Sequence, residues 1–322
     1  MALIMIKIFI IHGNFSGSNS MKPLEEALKN QLQSDGCKYF IDVEISNKYI
    51  EFFRIKYKYT NDLISCAREV YKSVNYNISS DDLVFLVGHS QGGLVARLVS
   101  VIMTNCNLRS PYSRKKVRRI DDRAYDDYLA LSKKFLPKCP PKKSYIDGVT
   151  TLGSPHAGSL TMGQFSTAAG LFAKAIQGIS SLFAKNLKDL SSDRLPRLMQ
   201  YMSVPETNFL SISGSRINRY SFSLDGVFSD AVNLNLPKVL SESALVPNFS
   251  VQLSKPNDLI VEEESADLSR SLLPFEGQVE PEHFNCYVNA TSVTHFNICA
   301  DNVIAEKVID WITGIASKHA SR

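Results

Sequence analysis

The chain has 322 residues, 44% of them apolar and 21% charged, with 36 Lys and Arg against 32 Asp and Glu for a net charge of +4. That balance belongs to a globular protein large enough for an enclosed core and a pocket, and it excludes a collagen-like, disordered or disulfide-scaffold chain. No apolar run reaches the roughly 18–20 residues that cross a bilayer.

Apolar β-type runs alternate with helical periodicity, which predicts an α/β fold, a mostly parallel sheet with helices on both faces. Leu3–Ile11 reads as a strand and Lys22–Gln33 as a helix with Leu24, Ala27, Leu28 and Leu32 on one side. Ile50–Tyr57 is the next strand, Asp62–Val74 the next helix, and Asp82–Val87 a short strand before a helix that starts near Ser90. Strands follow at Tyr145–Leu152, Asn208–Ser213 and His283–Val288, and Ala300–Ala316 closes the pattern as a helix with Val303, Ile304, Val308 and Trp311 on its apolar side.

The whole reads as one domain, 1–322, with three stretches that fit the sheet poorly. Residues 107–144 form a basic insertion: Leu108–Lys143 holds twelve basic and four acidic residues, so the rest of the chain carries 24 basic against 28 acidic. Residues 160–207 form a helical lid or cap insertion, in which Phe165, Ala169, Phe172, Ile176, Ile179, Phe183 and Leu187 recur at steps of three and four. Such a stripe either covers a pocket or packs on the core. Residues 216–256 form an irregular excursion. The basic run Arg114–Arg119 reads as a solvated loop or as a contact with an anionic membrane surface. No stacking aromatics accompany it, so nucleic acid is not expected.

The start of the chain lacks the basic end, long apolar core and cleavage site of a secretory signal. Six cysteines (Cys37, Cys66, Cys106, Cys139, Cys286, Cys299) are scattered without a C-x-x-C spacing. A reducing, cytoplasmic setting is the expectation, with signal-independent export still open.

The chemistry is concentrated at Gly88-His89-Ser90-Gln91-Gly92, a G-x-S-x-G run between a strand and a helix. A sharp turn there lifts the serine oxygen clear of the sheet and brings neighbouring backbone close, hence the flanking glycines. Without a base, the same run is merely a glycine-rich junction.

Four patches together resemble the α/β-hydrolase family, and more narrowly its lipases and serine esterases. They are Ile10-Ile11-His12-Gly13-Asn14, Gly88–Gly92, Thr151-Leu152-Gly153-Ser154-Pro155-His156-Ala157-Gly158-Ser159, and Thr294-His295-Phe296-Asn297-Ile298. The third is similar to the T-L-G-[ST]-P-H-x-G-S signature of bacterial lipases. The resemblance also admits phospholipases and GPI-inositol-deacylase-like relatives. It implies an α/β-hydrolase fold, Ser90 as nucleophile and His295, between the last strand and the last helix, as base.

In this fold the acid lies between serine and histidine in the chain. Asp258 is the expected acid, with Asp225 and Asp230 as rivals. Its loop resembles the lipase pattern D-G-x-V-P-x-x-S-A, with Leu259 in place of the glycine and Glu262 in place of the proline. The implied oxyanion hole takes the backbone N–H of Gln91 and that of Asn14, with Phe15 in reserve. The expected activity is cleavage of carboxylic esters of lipids or acyl groups, without cofactor or metal. An amidase or thioesterase with the same triad, and a non-catalytic association protein, are the alternatives.

Overall fold

The computed structural model describes residues 5–13, 17–34, 50–58, 61–105, 141–159, 190, 207–214, 220–223, 250–253, 258, 261–268, 284–290, 293–295 and 297–320. The strands are β1 (Ile6–Ile11), β2 (Ile50–Ile55), β3 (Leu83–His89), β4 (Gly148–Leu152), β5 (Asn208–Gly214), β6 (Tyr220–Ser223), β7 (Ser250–Leu253) and β8 (Phe284–Ala290). The helices are α1 (Lys22–Ser34), α2 (Leu63–Asn77), α3 (Gln91–Asn105), the single turn α4 (Glu263–Ala266) and α5 (Asn302–Ala320).

Six strands form one sheet in the order β2-β1-β3-β4-β5-β8, and every neighbouring pair is parallel. The chain runs from β1 outward to β2, then returns across β1 to β3, so the order reverses between β1 and β3. In open α/β sheets such a reversal leaves a crevice at the carboxyl ends of the strands, where ligands bind. Ser90 follows β3 at that point.

Both faces of the sheet are covered, which explains the near-continuous apolar strands. Phe9, Ile11, Val84 and Leu86 point into a core with α2, α3 and the α4 segment, through Val70, Leu94, Leu98 and Val261. Ile8, Ile10, Phe85 and Val87 point the other way, onto Leu24 and Leu28 of α1 and Ile304, Val308 and Ile312 of α5. Trp311 meets Phe85 edge-on, with ring centroids 6.3 Å apart. No helix among the described residues is long and apolar enough to cross a membrane.

Three details differ from the sequence reading. Val303 is 52% exposed, because the buried stripe of α5 runs through Ile304, Ala305, Val308, Ile309, Ile312 and Ala316, and Val303 lies about 180° from its centre, on the opposite side of the helix. Within the excursion at 216–256, β6 and β7 pair antiparallel as a separate two-stranded sheet. At the end of the basic segment, Lys143 is buried and ion-paired with Asp147 at 2.6 Å. Lys142 Nζ donates to the carbonyls of Tyr76 and Ile78 at the end of α2, each at 3.0 Å. Those two charges serve the fold rather than a free basic surface. Most of the basic segment and all the apolar stripe residues named above lie outside the described residues.

Candidate active site

The turn after β3 is forced by its neighbours. Ser90 has φ 54°, in the left-handed region, and is the one described non-glycine residue with positive φ. Its N–H donates to Leu152 O of β4 at 2.8 Å, and Gly93 N–H donates to Ser90 O at 3.1 Å. A Cβ on Gly92 would sit 2.3 Å from Ile11 O and 2.5 Å from His12 O, so α3 starts in backbone contact with the end of β1. Non-glycine residues avoid left-handed φ at a cost of roughly 1–2 kcal/mol, and such strain persists only where the surroundings over-determine it.

Ser90 precedes α3, whose first residue is Gln91. The first N–H groups of a helix lack intrahelical acceptors and favour negative charge. The Gln91 side chain is buried, and neither of its polar atoms has a hydrogen-bond partner among the described residues. Asn14 and Phe15 lie outside them, as do Asp225 and Asp230.

Asp258 and His295 are in direct contact. His295 Nδ1–H donates to Asp258 Oδ2 at 2.8 Å, and both residues are buried. The backbone repeats the link, since His295 N–H donates to Asp258 O at 2.8 Å. The other carboxylate oxygen, Oδ1, accepts from Val261 N–H at 2.8 Å. Gly153, with φ +56°, leaves room for the pair: a Cβ there would come within 2.7 Å of Asp258 Oδ2 and 3.1 Å of His295 Nδ1. Ser90 and the Asp258–His295 pair therefore abut the same end of β4, at Leu152 and Gly153.

The Asp258 loop is stitched to the T-L-G-S-P-H segment despite its two departures from the lipase pattern. His156 N–H donates to Ser265 O at 2.8 Å, Ala157 N–H donates to Ser265 Oγ at 3.2 Å, and Ser265 Oγ–H donates to Gly158 O at 2.5 Å. Val261, Ser265 and Ala266 match the pattern, and all three are buried.

The surrounding histidines are neutral for identifiable reasons. Burial, then the neighbouring Arg97 guanidinium, holds His156 well below the usual imidazole range. Burial also lowers Arg97 itself to about 10. His12 is lowered by burial, partly offset by its Nδ1–H bond to Gly13 O at 2.9 Å. His89 is pushed down to about 3, first by burial and then by the charge His295 can carry. Among the described residues, no group of three or more His, Cys, Asp or Glu side chains is placed to hold a metal ion.

Tyr57, at the end of the strand expected from the sequence, has a role the sequence does not announce. Its ring stacks on His12 with centroids 4.3 Å apart, and its hydroxyl donates to His12 O at 2.7 Å. That bond fixes the backbone where β1 ends, beside Ser90. An isolated tyrosine just past a strand carries no motif, so only the tertiary contact reveals it.

Residues 5–120 match the family described as PGAP1-like alpha/beta domain. No curated protein matches the sequence. Among solved structures, the chain is similar to lipase 1 from Pelosinus fermentans, at 14% identity and a TM-score of 0.53, over 99% of this chain and 98% of that one. It is similar to EstA from Clostridium botulinum, at 13% identity and a TM-score of 0.53, over 97% and 89%. The mature form of the Bacillus licheniformis lipase BlEst2 matches at 16% identity and a TM-score of 0.50, over 95% and 91%. At such identities the likeness is one of fold. The chain is a protein of the α/β-hydrolase fold, built like lipases and esterases and similar over residues 5–120 to the PGAP1-like alpha/beta domain.

Proposed function

We propose that the protein is a serine hydrolase that cleaves carboxylic esters, with lipids or other acyl esters as substrates, through Ser90, His295 and Asp258. The observation that carries this reading is the buried 2.8 Å contact between His295 Nδ1 and Asp258 Oδ2, at the strand end where Ser90 is held with φ 54°.

Ser90 Oγ attacks the ester carbonyl while His295 Nε2 takes its proton. The carbonyl π bond opens, and the electron pair goes to the oxygen, which is received by backbone N–H groups. Gln91 supplies one by its position after the nucleophile, and Asn14 the second; one such donor is worth about 3–4 kcal/mol of barrier. Collapse expels the alcohol, which leaves with the proton from His295. Water then attacks the acyl-enzyme by the same steps, releasing the acid and restoring Ser90. Asp258 keeps Nδ1 protonated and Nε2 free to accept, and stabilises the imidazolium that forms twice per turnover.

Fluorophosphonate labelling followed by peptide mapping tests the nucleophile. The expected result is a single adduct on Ser90, absent in Ser90→Ala. Folded wild type that never labels would overturn the enzymatic reading. Profiling a lipid extract with wild type and Ser90→Ala then identifies the class of ester, as the species that lose an acyl chain only with wild type. Matched amides and thioesters form the comparison arms.

A further inference from the structure

The residue before the nucleophile does more than fill the turn. His89 Nε2–H donates to the backbone carbonyl of His295 at 2.8 Å, although 206 positions separate them. Their rings lie 4.7 Å apart, tilted by 47°. On its other edge, a Cβ on Gly13 would lie 3.4 Å from His89 Nδ1, 3.0 Å from His89 O and 2.8 Å from Ser90 Cβ. His89 thus reaches from the end of β1 to the loop that carries His295, and shares a peptide bond with Ser90.

We propose that His89 is a positioning residue, a fixed N–H donor that holds the His295 loop at the height where its imidazole meets Ser90. The inference rests on the hydrolase reading above and extends it to a residue that touches no reacting atom. Its tautomer follows from the acceptor: a carbonyl at Nε2 requires the proton there, so a neutral ring leaves Nδ1 bare. Neutrality matters as well. The proton that His295 gains during the reaction makes it a cation, and a second cation 4.7 Å away would oppose that charge. Burial, then His295 itself, lower the His89 pKa to about 3 and so keep the ring uncharged.

Two amides separate this role from simple packing. Glutamine carries its amide nitrogen at about the reach of Nε2, and asparagine only at that of Nδ1. Hydrolysis of p-nitrophenyl butyrate is measured for wild type, His89→Gln and His89→Asn, and each rate is divided by the concentration of sites titrated with a fluorophosphonate. Misplacement of a catalytic group by about 1 Å can cost ~100-fold, so kcat per site should fall at least tenfold in His89→Asn with KM little changed, and stay within about threefold of wild type in His89→Gln. An Asn variant with wild-type kcat per site, or a Gln variant no better than Asn, would overturn the role of His89 while the hydrolase reading stands. Wild type that neither labels nor hydrolyses overturns both. If the Asn variant does not fold, a folded Gln variant that loses a hundredfold would by itself overturn the donor role.

Discussion

His295 is bound to Asp258 twice, side chain to side chain through Nδ1 and Oδ2 and backbone to backbone through N–H and C=O, each at 2.8 Å. The carboxylate thus has two separable functions: its charge acts on the imidazole, and its loop holds the imidazole's backbone.

Asp258→Asn separates the two. The amide preserves the shape of the loop, and the backbone bond to His295 survives, but the negative charge is lost. Ester hydrolysis by this variant should fall by about 10³–10⁴-fold in kcat, with the melting temperature nearly unchanged. Rates on a chromogenic ester, together with a thermal melt, check both halves of the expectation.

Strain at Ser90 makes a second expectation. Ser90→Ala and Ser90→Gly both remove the hydroxyl, but only glycine adopts φ 54° without cost. The Gly variant should be more stable than the Ala variant by about 1 kcal/mol, in spite of glycine's greater freedom when unfolded. Urea denaturation of the two inactive proteins measures the difference.

Acid should destabilise the fold well before the carboxylates titrate. His12, His89 and His156 all have folded pKa values below 6.5, while in the unfolded chain they take up protons near that value. Below pH 6.5 the unfolded state therefore binds more protons than the native state, and stability falls as pH falls, down to about 3 for His89. Each fully discordant histidine contributes a slope of about 1.4 kcal/mol per pH unit. Urea midpoints should be flat from pH 8 to 7 and drop steadily toward pH 5. A curve flat to pH 5 would contradict the neutral burial of all three.

Gly153→Ala should damage stability and chemistry together. The new methyl group must adopt φ +56° and would lie 2.7 Å from Asp258 Oδ2. A loss of at least about 1–2 kcal/mol is expected from the backbone alone. The pair it displaces is the one proposed to do the work, so kcat per folded molecule should fall as well. Melting curves and active-site titration distinguish the two losses.

Much of this was legible in one dimension, for local reasons. Strands buried on both faces announce themselves as apolar runs, and the turn after β3 needs glycine at positions that short-range sterics dictate. The T-L-G-S-P-H segment was visible as a pattern, but its bonds to Ser265 were not. What failed was longer in range or shorter in length. Four-residue strands such as β6 and β7 are too brief for alternation to register. Val303 is as apolar as its neighbours, and only the direction of the α1 contact at Ile304 and Val308 turns it outward. Tyr57 and His89 act through backbone carbonyls, which no side-chain pattern encodes.

The strand that leads to His295 is also the last in the sheet order, and among the described residues it pairs with β5 alone. The bend bearing the hydroxyl leans on β1 and β4, whereas the imidazole lies 206 positions beyond His89, after this border strand. Under the proposed chemistry, fraying of this border would part the imidazole from the hydroxyl and cost activity while leaving most of the architecture standing.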